Sequence, residues 1–311
     1  MMKKTDINLH NISGKWAGIG AKILLYGMMI LVSYIFLYPF LYMLVTSVMT
    51  NDDLNNFTVI WIPRSLNFKN YSMAAEFMKF FNSLKNSLFS TLATTLGQLI
   101  SCSMIGYGLA RYKFPGKRLV FMVVILAMIV PAQTIIIPQY LLYGRFGWLN
   151  TFAPITLPAF FGYGFKGALY IYVFRQFYLG LPKELEEAAR VDGCGFLRTY
   201  IRIIFPTAKT AYIVVLVLSL VWNWGNYFEP SMYLGKTDMY TLPMSLNNIT
   251  DALTVSLETL TNSYGIDAES PLNNAVLCAG AVMVIAPLGA MFAFLQKEFI
   301  QGIENSGLTG E

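Results

Sequence analysis

The chain is poor in the residues that most enzymes and metalloproteins use. It has one histidine, His10, and three cysteines, Cys102, Cys194 and Cys278, which lie far apart in the sequence. Disulfide frameworks and metal sites need cysteines or histidines at close, regular spacings, so neither is predicted here. A lone histidine in a polar stretch also provides no base for activating a nucleophile. We therefore expect neither a catalytic triad nor a bound metal.

Nucleotide-binding loops are missing from the sequence as well. The segment GYGFKG at 162–167 has the glycine spacing of a dinucleotide-binding loop, but it lies in an apolar stretch. That motif acts only between a strand and a helix. The segment FPGKR at 114–118 has neither the earlier glycine nor the Ser/Thr of a phosphate loop. The chain is therefore expected to bind no ATP of its own.

Charged residues are scarce, and apolar residues are abundant. Only 13% of the chain is charged and 56% is apolar, whereas soluble domains are roughly 25% charged. An apolar run needs about 20 residues to cross a bilayer core, and we count six such runs. They cover 23–47, 87–109, 119–138, 152–174, 210–228 and 274–295. The sequence predicts an all-α integral membrane protein with six transmembrane helices.

Positive charge is unevenly distributed among the connections. Lys and Arg are abundant in the N-terminal stretch 1–22, in the segment RYKFPGKR at 111–118 and in the connection 175–209. The few charged residues of 230–273 are mostly acidic. Cytoplasmic loops carry the excess of Lys and Arg. The pattern predicts that both termini are cytoplasmic. It also accounts for the net charge of +5 without a nucleic-acid partner.

The chain divides into two cytoplasmic tails, 1–22 and 303–311, and a six-span domain, 23–302. The first apolar run is too long for a signal peptide and lacks a small-residue cleavage pattern, so we expect it to be retained. The external loop 230–273 has apolar residues at helical spacing, which are Ile249, Leu253, Leu257 and Leu260. They predict a helix that either contacts a partner, covers the pore or decorates the surface.

One charged segment, EAARVDGCGFLRTYIRIIFP at 187–206, interrupts the apolar runs. Pro182 and the glutamates after it suit the first turn of a helix, and glycines follow at 193 and 195. The pattern predicts a short helix over 184–192 with a small apolar face, made of Leu185, Ala188 and Ala189. From the residues alone, this helix either docks into a groove of another protein or lies on lipid headgroups.

The segment resembles the signature of permease subunits of bacterial ATP-binding-cassette (ABC) importers: Glu-Ala-Ala, three residues, Gly, nine residues, Ile, one residue, Leu, Pro. The matching positions are Glu187, Ala188, Ala189, Gly193, Ile203 and Pro206, with Phe205 where leucine is usual. The longer stretch RQFYLGLPKELEEAARVDG is similar to the sugar-importer branch, and to the smaller permease of maltose-type systems. NSLFSTLATTLGQLISCSMIGYGLARYKFPGKR and VPAQTIIIPQYLL also agree with that branch, and the likeness extends from about 23 to 302.

The resemblance implies a non-enzymatic transport subunit with an ABC importer permease-type fold in the bacterial cytoplasmic (inner) membrane. It implies three partners: an ABC ATPase subunit that binds ATP and Mg²⁺, a second permease, and an extracytoplasmic solute-binding protein that delivers a carbohydrate or sugar-like solute. This chain itself is expected to hold no cofactor. The helix near 184–192 is then a coupling helix in a cleft of the ATPase. The docking and coupling residues are Glu184, Glu187, Ala188, Ala189, Asp192, Gly193 and Pro206.

Candidate substrate-path residues lie in and after the fourth and fifth apolar runs: Lys166, Trp222, Trp224, Asn226 and Glu229. A charge within a span costs at least about 2.5–3.5 kcal/mol, so Lys166 is expected either to face a water-filled path, to pair with Glu229, or to extend to the outer surface. Aromatic rings beside amide and acid groups suit sugar rings, but interfacial aromatic belts have the same composition.

A six-helix secondary transporter or channel without an ATPase partner is the alternative function. Such a protein has no need of the 187–206 signature, and secondary transporters commonly show internal repeats, which this sequence does not show. A membrane-embedded enzyme is less favoured still, because Lys166 is the one charged residue well inside a predicted span.

Overall fold

A computed structural model of the chain describes residues 9–56, 58–164, 166–263 and 273–307. Within these ranges the regular structure is helical and contains no strand, which confirms the all-α prediction. The outermost residues of the predicted tails, 1–8 and 308–311, lie outside the described residues, as do 264–272 of the predicted external loop.

The helices differ greatly in length. In chain order they are α1 (Leu9–Thr46), α2 (Asn51–Leu54), α3 (Lys69–Phe77), α4 (Phe80–Arg111), α5 (Lys117–Ile129), α6 (Ala132–Arg145), α7 (Ala153–Thr156), α8 (Gly167–Gly180), α9 (Glu184–Val191), α10 (Phe196–Thr199), α11 (Phe205–Thr207), α12 (Lys209–Trp224), α13 (Phe228–Tyr233), α14 (Leu242–Ser263) and α15 (Asn274–Gly307). Shorter segments are the 3₁₀ helices Pro158–Phe161 and Thr237–Met239 and a π-helical turn, Tyr200–Ile204.

Among the described residues, three single helices are long and apolar enough to cross a membrane: Lys22–Thr46 of α1, Phe80–Arg111, and Asn274–Lys297 of α15. They coincide with the predicted spans 23–47, 87–109 and 274–295. Two bent helix pairs also pass when each pair is taken together, which raises the count to five.

The predicted span 119–138 contains the bend of the first pair, whereas 210–228 begins after the bend of the second pair and overlaps only α12 of that pair. α5 and α6 meet at 103°, and the segment Phe196–Thr207 meets α12 at 78°. The first bend occurs where Val130 is extended, with φ −67° and ψ 122°, because a residue before proline, here Pro131, is driven out of the helical conformation.

The predicted span 152–174 is wrong as a continuous helix. α7 and the 3₁₀ helix Pro158–Phe161 are separated from α8 by a turn in which Gly162, Gly164 and Lys166 have φ of 75°, 121° and 64°. Left-handed backbone of this kind ends a helix. Lys166 therefore immediately precedes α8 instead of lying within a span.

α4 is the central helix and packs against α8 and α12, while α15 packs against α12, α3 and α1. Most of the residues that α4 buries are polar. These polar residues are Ser83, Asn86, Ser87, Ser90, Thr91, Thr94, Thr95, Gln98, Ser101 and Ser103.

The predicted helix around 249–260 is confirmed by α14, in which Ile249 is buried against the α15 side chains Val276 and Ala279. The side chains of Leu257 and Leu260 lie outside the described residues.

Candidate coupling and transport sites

The predicted helix over 184–192 is confirmed by α9. Three glutamates lie in its first turn, where the positive end of the helix dipole stabilises negative charge. The helix ends at Val191, and Gly193, two residues later, has φ of 72°. The Cys194 N–H then donates to the Ala189 carbonyl at 2.9 Å, so a left-handed glycine closes the helix and redirects the chain.

α9 has two distinct faces. Glu184, Glu187, Ala188 and Val191 follow the spacing of one helix stripe, and all four are exposed, Val191 to 88%. We call these four residues the outer face. Asp192 and Gly193 beside it are also exposed.

The opposite side of α9 contacts the protein, with Glu186 and Ala189 buried. The predicted apolar face of Leu185, Ala188 and Ala189 is therefore wrong as one surface. Ala189 is buried, Leu185 is half-buried and Ala188 points outward, because Ala188 and Ala189 are about 100° apart around the helix axis.

The buried side of α9 carries an ion pair that was not predicted. Glu186 Oε1 lies 3.1 Å from Arg111 Nε at the end of α4, and the two side chains are 8% and 5% exposed. Arg111 also donates from Nη2 to the carbonyl of Leu181, just before α9. The exposed Arg190 guanidinium lies 3.9 Å from the other oxygen of Glu186. A third glutamate in one helix turn was the sequence signal that could have indicated this contact.

A cluster of hydroxyl groups lies deeper in the bundle. Ser103 Oγ of α4 is 2.5 Å from the hydroxyls of Tyr178 and Tyr212 and 2.7 Å from that of Tyr200. Tyr200 and Tyr212 are also hydrogen-bonded at 2.6 Å. These four residues, which we call the Ser103 cluster, connect α4, α8, the π-helical turn and α12.

Aromatic stacking joins α4 to the segment that follows α9. The Tyr107 ring stacks on Phe196 with centroids 5.6 Å apart, and it also contacts Tyr200 at 5.4 Å.

Pro206, one of the predicted docking residues, is not part of α9. It is exposed at the bend before α12 and lies well after α9 in the chain.

The structure brings two of the candidate path residues together at the turn before α8. The Lys166 Nζ lies over the Trp222 ring, 4.7 Å from its centroid, as expected for a cation–π contact. Trp222 is 44% exposed, whereas Trp224 is 3% exposed and donates from Nε1 to the carbonyl of Val284 at 3.0 Å. Trp224 therefore packs α12 against α15.

Asn226 and Glu229 form a second pair, with Asn226 Nδ2 donating to Glu229 Oε2 at 3.0 Å. Burial raises the pKa of Glu229 above its usual range, and the hydrogen bond from Asn226 partly opposes that rise. Nearby, the Tyr233 hydroxyl donates to Gln139 Oε1 at 3.2 Å, and the Gln139 amide in turn contacts the Tyr163 hydroxyl. Aromatic, amide and acid groups thus meet between α6 and α13.

A buried polar contact between α4 and α12 was missed by sequence reasoning. Gln98 Oε1 accepts a hydrogen bond from Asn223 Nδ2 at 3.0 Å and lies 2.6 Å from Ser219 Oγ. Ser219 Oγ is also 2.9 Å from Thr95 Oγ1. The sequence signal was the recurrence of Ser, Thr and Gln every three or four residues along α4.

Comparison with known proteins gives consistent matches. Residues 103–304 match the family described as binding-protein-dependent transport system inner membrane component. The chain is 30% identical over 287 residues to the arabinooligosaccharides transport system permease protein AraQ of Bacillus subtilis, covering 90% of this chain and 93% of that protein. It is 29% identical to the melibiose/raffinose/stachyose import permease protein MelC of the same organism, covering 88% and 91%.

One solved structure has the same fold. It is a bacterial ABC transporter involved in the import of the acidic polysaccharide alginate, and its matched chain is 23% identical to this one. The TM-score is 0.74, with 96% of this chain and 100% of that chain covered.

Proposed function

The chain belongs to the family of binding-protein-dependent transport system inner membrane components, and from that premise we propose that it imports a carbohydrate at the expense of ATP. It is a multi-pass inner-membrane transport subunit, not an enzyme. In this proposal it forms half of the translocation path, with six spans and both termini in the cytoplasm. A second permease forms the other half, and a solute-binding protein delivers the solute from outside.

The observation that carries the proposed coupling to ATP is the outer face of α9. Val191 is 88% exposed and lies one helix turn after the acidic Glu187 and the small Ala188. Small and apolar side chains on one stripe of a short helix suit insertion into a groove of a partner protein. An ATPase subunit that binds ATP and Mg²⁺ is the proposed owner of that groove, because this chain has no phosphate-binding loop.

The proposed carbohydrate substrate is supported by relatives and by the path residues. AraQ and MelC are named for arabino-oligosaccharides and for melibiose, raffinose and stachyose. In this chain, the exposed Trp222 ring lies next to the Lys166 ammonium. An aromatic ring with a neighbouring ammonium donor suits a sugar, since its C–H face stacks and its hydroxyls form hydrogen bonds.

Co-purification with the ATPase tests the coupling proposal. The chain is co-expressed with the ATPase and the second permease, either as wild type or with Glu187→Arg or Val191→Glu. Glu187→Arg reverses a charge on the outer face of α9, and Val191→Glu puts a charge in place of its exposed apolar side chain. We expect each to lower the ATPase recovered per permease about tenfold or more.

The matched control is Glu76→Arg, which reverses an exposed glutamate in α3, beside the opposite end of α4. We expect this control to retain the ATPase. If wild type and both outer-face variants recover no ATPase, and uptake proceeds without ATP, the chain functions instead as a secondary transporter or a channel.

A further inference from the structure

We propose that Arg111 and Glu186 are positioning residues that fix α9 to the end of α4, so that movement of α9 is passed to the membrane helices. We call this pair the Arg111–Glu186 clamp. The inference rests on the proposed function of α9 as the ATPase-docking helix. It adds a role to two residues that lie outside the Glu-Ala-Ala signature and whose side chains are buried within this chain.

The clamp holds α9 and the chain entering it at the same time. Arg111 is paired with Glu186 in the first turn of α9 and donates to the carbonyl of Leu181, where the α8–α9 connection begins. A guanidinium has a rigid array of donors, so one side chain fixes both elements. The Arg111 Nε and Glu186 Oε1 atoms are close but not aligned as a hydrogen bond, which makes their attraction chiefly ionic.

Two adjacent glutamates of α9 have different roles, docking for Glu187 and positioning for Glu186. Glu187 lies on the exposed outer face, whereas Glu186 is buried against the protein. Successive residues are about 100° apart around a helix, so α9 presents one carboxylate to a partner and the next to Arg111. Docking and positioning can therefore be separated by substitution.

The end of α4 is itself held in place, which lets it transmit movement. The Lys117 ammonium donates to the carbonyls of Ala110 and Tyr112 at 3.2 and 2.9 Å, on either side of Arg111. One turn back, Tyr107 stacks on Phe196 beyond α9. The Ser103 cluster then joins α4 to α8 and α12. Contacts are thus continuous from α9 into the bundle.

The buried pair is better explained by geometry than by stability. Burying two charges removes them from water, and replacing such a pair with apolar residues is often neutral or stabilising. What an ion pair adds is one defined arrangement of the two elements. The clamp is therefore expected to affect coupling, which depends on how α9 is oriented.

The test uses the complete complex in liposomes, with ATPase, second permease and solute-binding protein. The variants are Glu186→Gln, which removes the negative charge but leaves an amide oxygen for Arg111, and Arg111→Lys, which keeps the positive charge but loses the planar array of donors. We expect ATPase recovery to stay within about twofold of wild type, whereas solute transported per ATP hydrolysed falls about five- to tenfold, the lower end of ordinary coupling effects.

The rescue experiment reverses the charges, Arg111→Glu with Glu186→Arg. It is made with Arg190→Gln, so that the new arginine does not face the exposed guanidinium now 3.9 Å from Glu186. Arg190→Gln alone is the control and should transport normally. We expect the reversed pair to transport at least about twofold better per ATP than the single variants, since attraction between unlike charges is symmetric. Recovery is expected to be partial, because a carboxylate at 111 cannot donate to the Leu181 carbonyl as Arg111 does.

Two results would overturn the clamp. One is a normal ratio in both single variants, and the other is a reversed pair that assembles but transports no better than they do. If the wild type recovers no ATPase, the proposed function fails and the clamp with it. If only Glu187→Arg loses the ATPase while the clamp variants transport normally, docking stands and the clamp is wrong.

Discussion

The Nε atom of Arg111 lies 3.1 Å from Oε1 of Glu186, and both side chains are buried, with 5% and 8% of their surfaces exposed. Glu187, the next residue, is also a glutamate but is exposed on the outer face of α9. The pair therefore joins the end of a long membrane helix to a short helix whose other side is open to a partner.

Removing Glu186 should destabilise the protein far more than removing Glu187. Glu186→Ala leaves a buried guanidinium without its counter-charge, which costs about 3–5 kcal/mol. Glu187→Ala is a surface change worth within about 0.5 kcal/mol. Apparent melting temperatures of the detergent-purified permease measure the difference. Equal melting temperatures for the two variants would mean that the ion pair is not formed.

Two glycines in α4 should respond oppositely to alanine. At Gly106 a Cβ would lie 2.8 Å from the Phe174 Cβ and 3.0 Å from the Arg175 nitrogen, whereas nothing lies within 4 Å at Gly108. Gly106→Ala forces α4 and α8 apart and should cost about 1–3 kcal/mol. Gly108→Ala should stabilise the helix by up to about 1 kcal/mol.

Because the two glycines share a helix, the same melting experiment compares them directly. A Gly106→Ala protein that melts at or above the wild-type temperature would contradict the close packing of α4 on α8.

Ser103 should be important for stability despite its small size. Ser103→Ala removes the central oxygen that the hydroxyls of Tyr178, Tyr200 and Tyr212 approach within 2.7 Å. The hydroxyls of Tyr200 and Tyr212 remain hydrogen-bonded to each other, but the buried Tyr178 hydroxyl loses its bond to Ser103, which costs about 1–3 kcal/mol. The melting temperature of Ser103→Ala should fall, while that of Ser72→Ala, at an exposed position in α3, should not. No difference between them would show that the hydroxyls find other partners.

Gly193 should resist substitution while Gly195 accepts it. Gly193 has φ of 72°, so alanine there is strained by about 1–2 kcal/mol. Gly195 has φ of −73° and open space around its Cα. We expect Gly193→Ala to displace the end of α9 and reduce recovery of the ATPase, and Gly195→Ala to leave it unchanged. Equal recovery from both variants would argue against a defined orientation of α9.

Glu229 should make stability fall as pH rises. Its ordinary pKa is 4.5, and burial raises that value in the folded protein despite the bond from Asn226. Between the two pKa values the folded state holds a proton that the unfolded chain has released, so the free energy of unfolding decreases with rising pH. Glu229→Gln does not titrate and removes this decline.

The corresponding measurement is the melting temperature of Glu229→Gln minus that of the wild type, from about pH 5 to about pH 8. We expect this difference to grow more positive with pH. A difference that stays constant or becomes smaller would mean that the carboxyl group is well solvated.

The sequence predicted the long helices better than the broken ones. Apolar runs such as 23–47 and 274–295 are sufficient to indicate single helices, because length and hydropathy decide them. The break between α7 and α8 depends on left-handed backbone at three alternate residues, Gly162, Gly164 and Lys166. Apolar composition does not indicate such turns, so the run 152–174 predicts one continuous span.

For the candidate site, the signature located α9 and the residues of its outer face, such as Glu187 and Ala188. It did not indicate Glu186 and Arg111, since their contact joins distant parts of the chain. Trp222 and Trp224 looked equivalent in sequence, yet residues two apart point to different sides of a helix. Only Trp222 is exposed beside Lys166. Whether these residues contact solute stays a prediction.

The most direct test of coupling through α9 is uptake by liposomes that contain the complete complex, with ATP supplied on the side of the membrane where the ATPase is bound. Labelled arabino-oligosaccharides, raffinose and lactose are offered with the solute-binding protein, to wild type and to Glu187→Arg. We predict uptake of one of these sugars that requires ATP and is lost in Glu187→Arg. Equal uptake by both proteins without ATP would contradict coupling through α9 and indicate a secondary transporter or a channel.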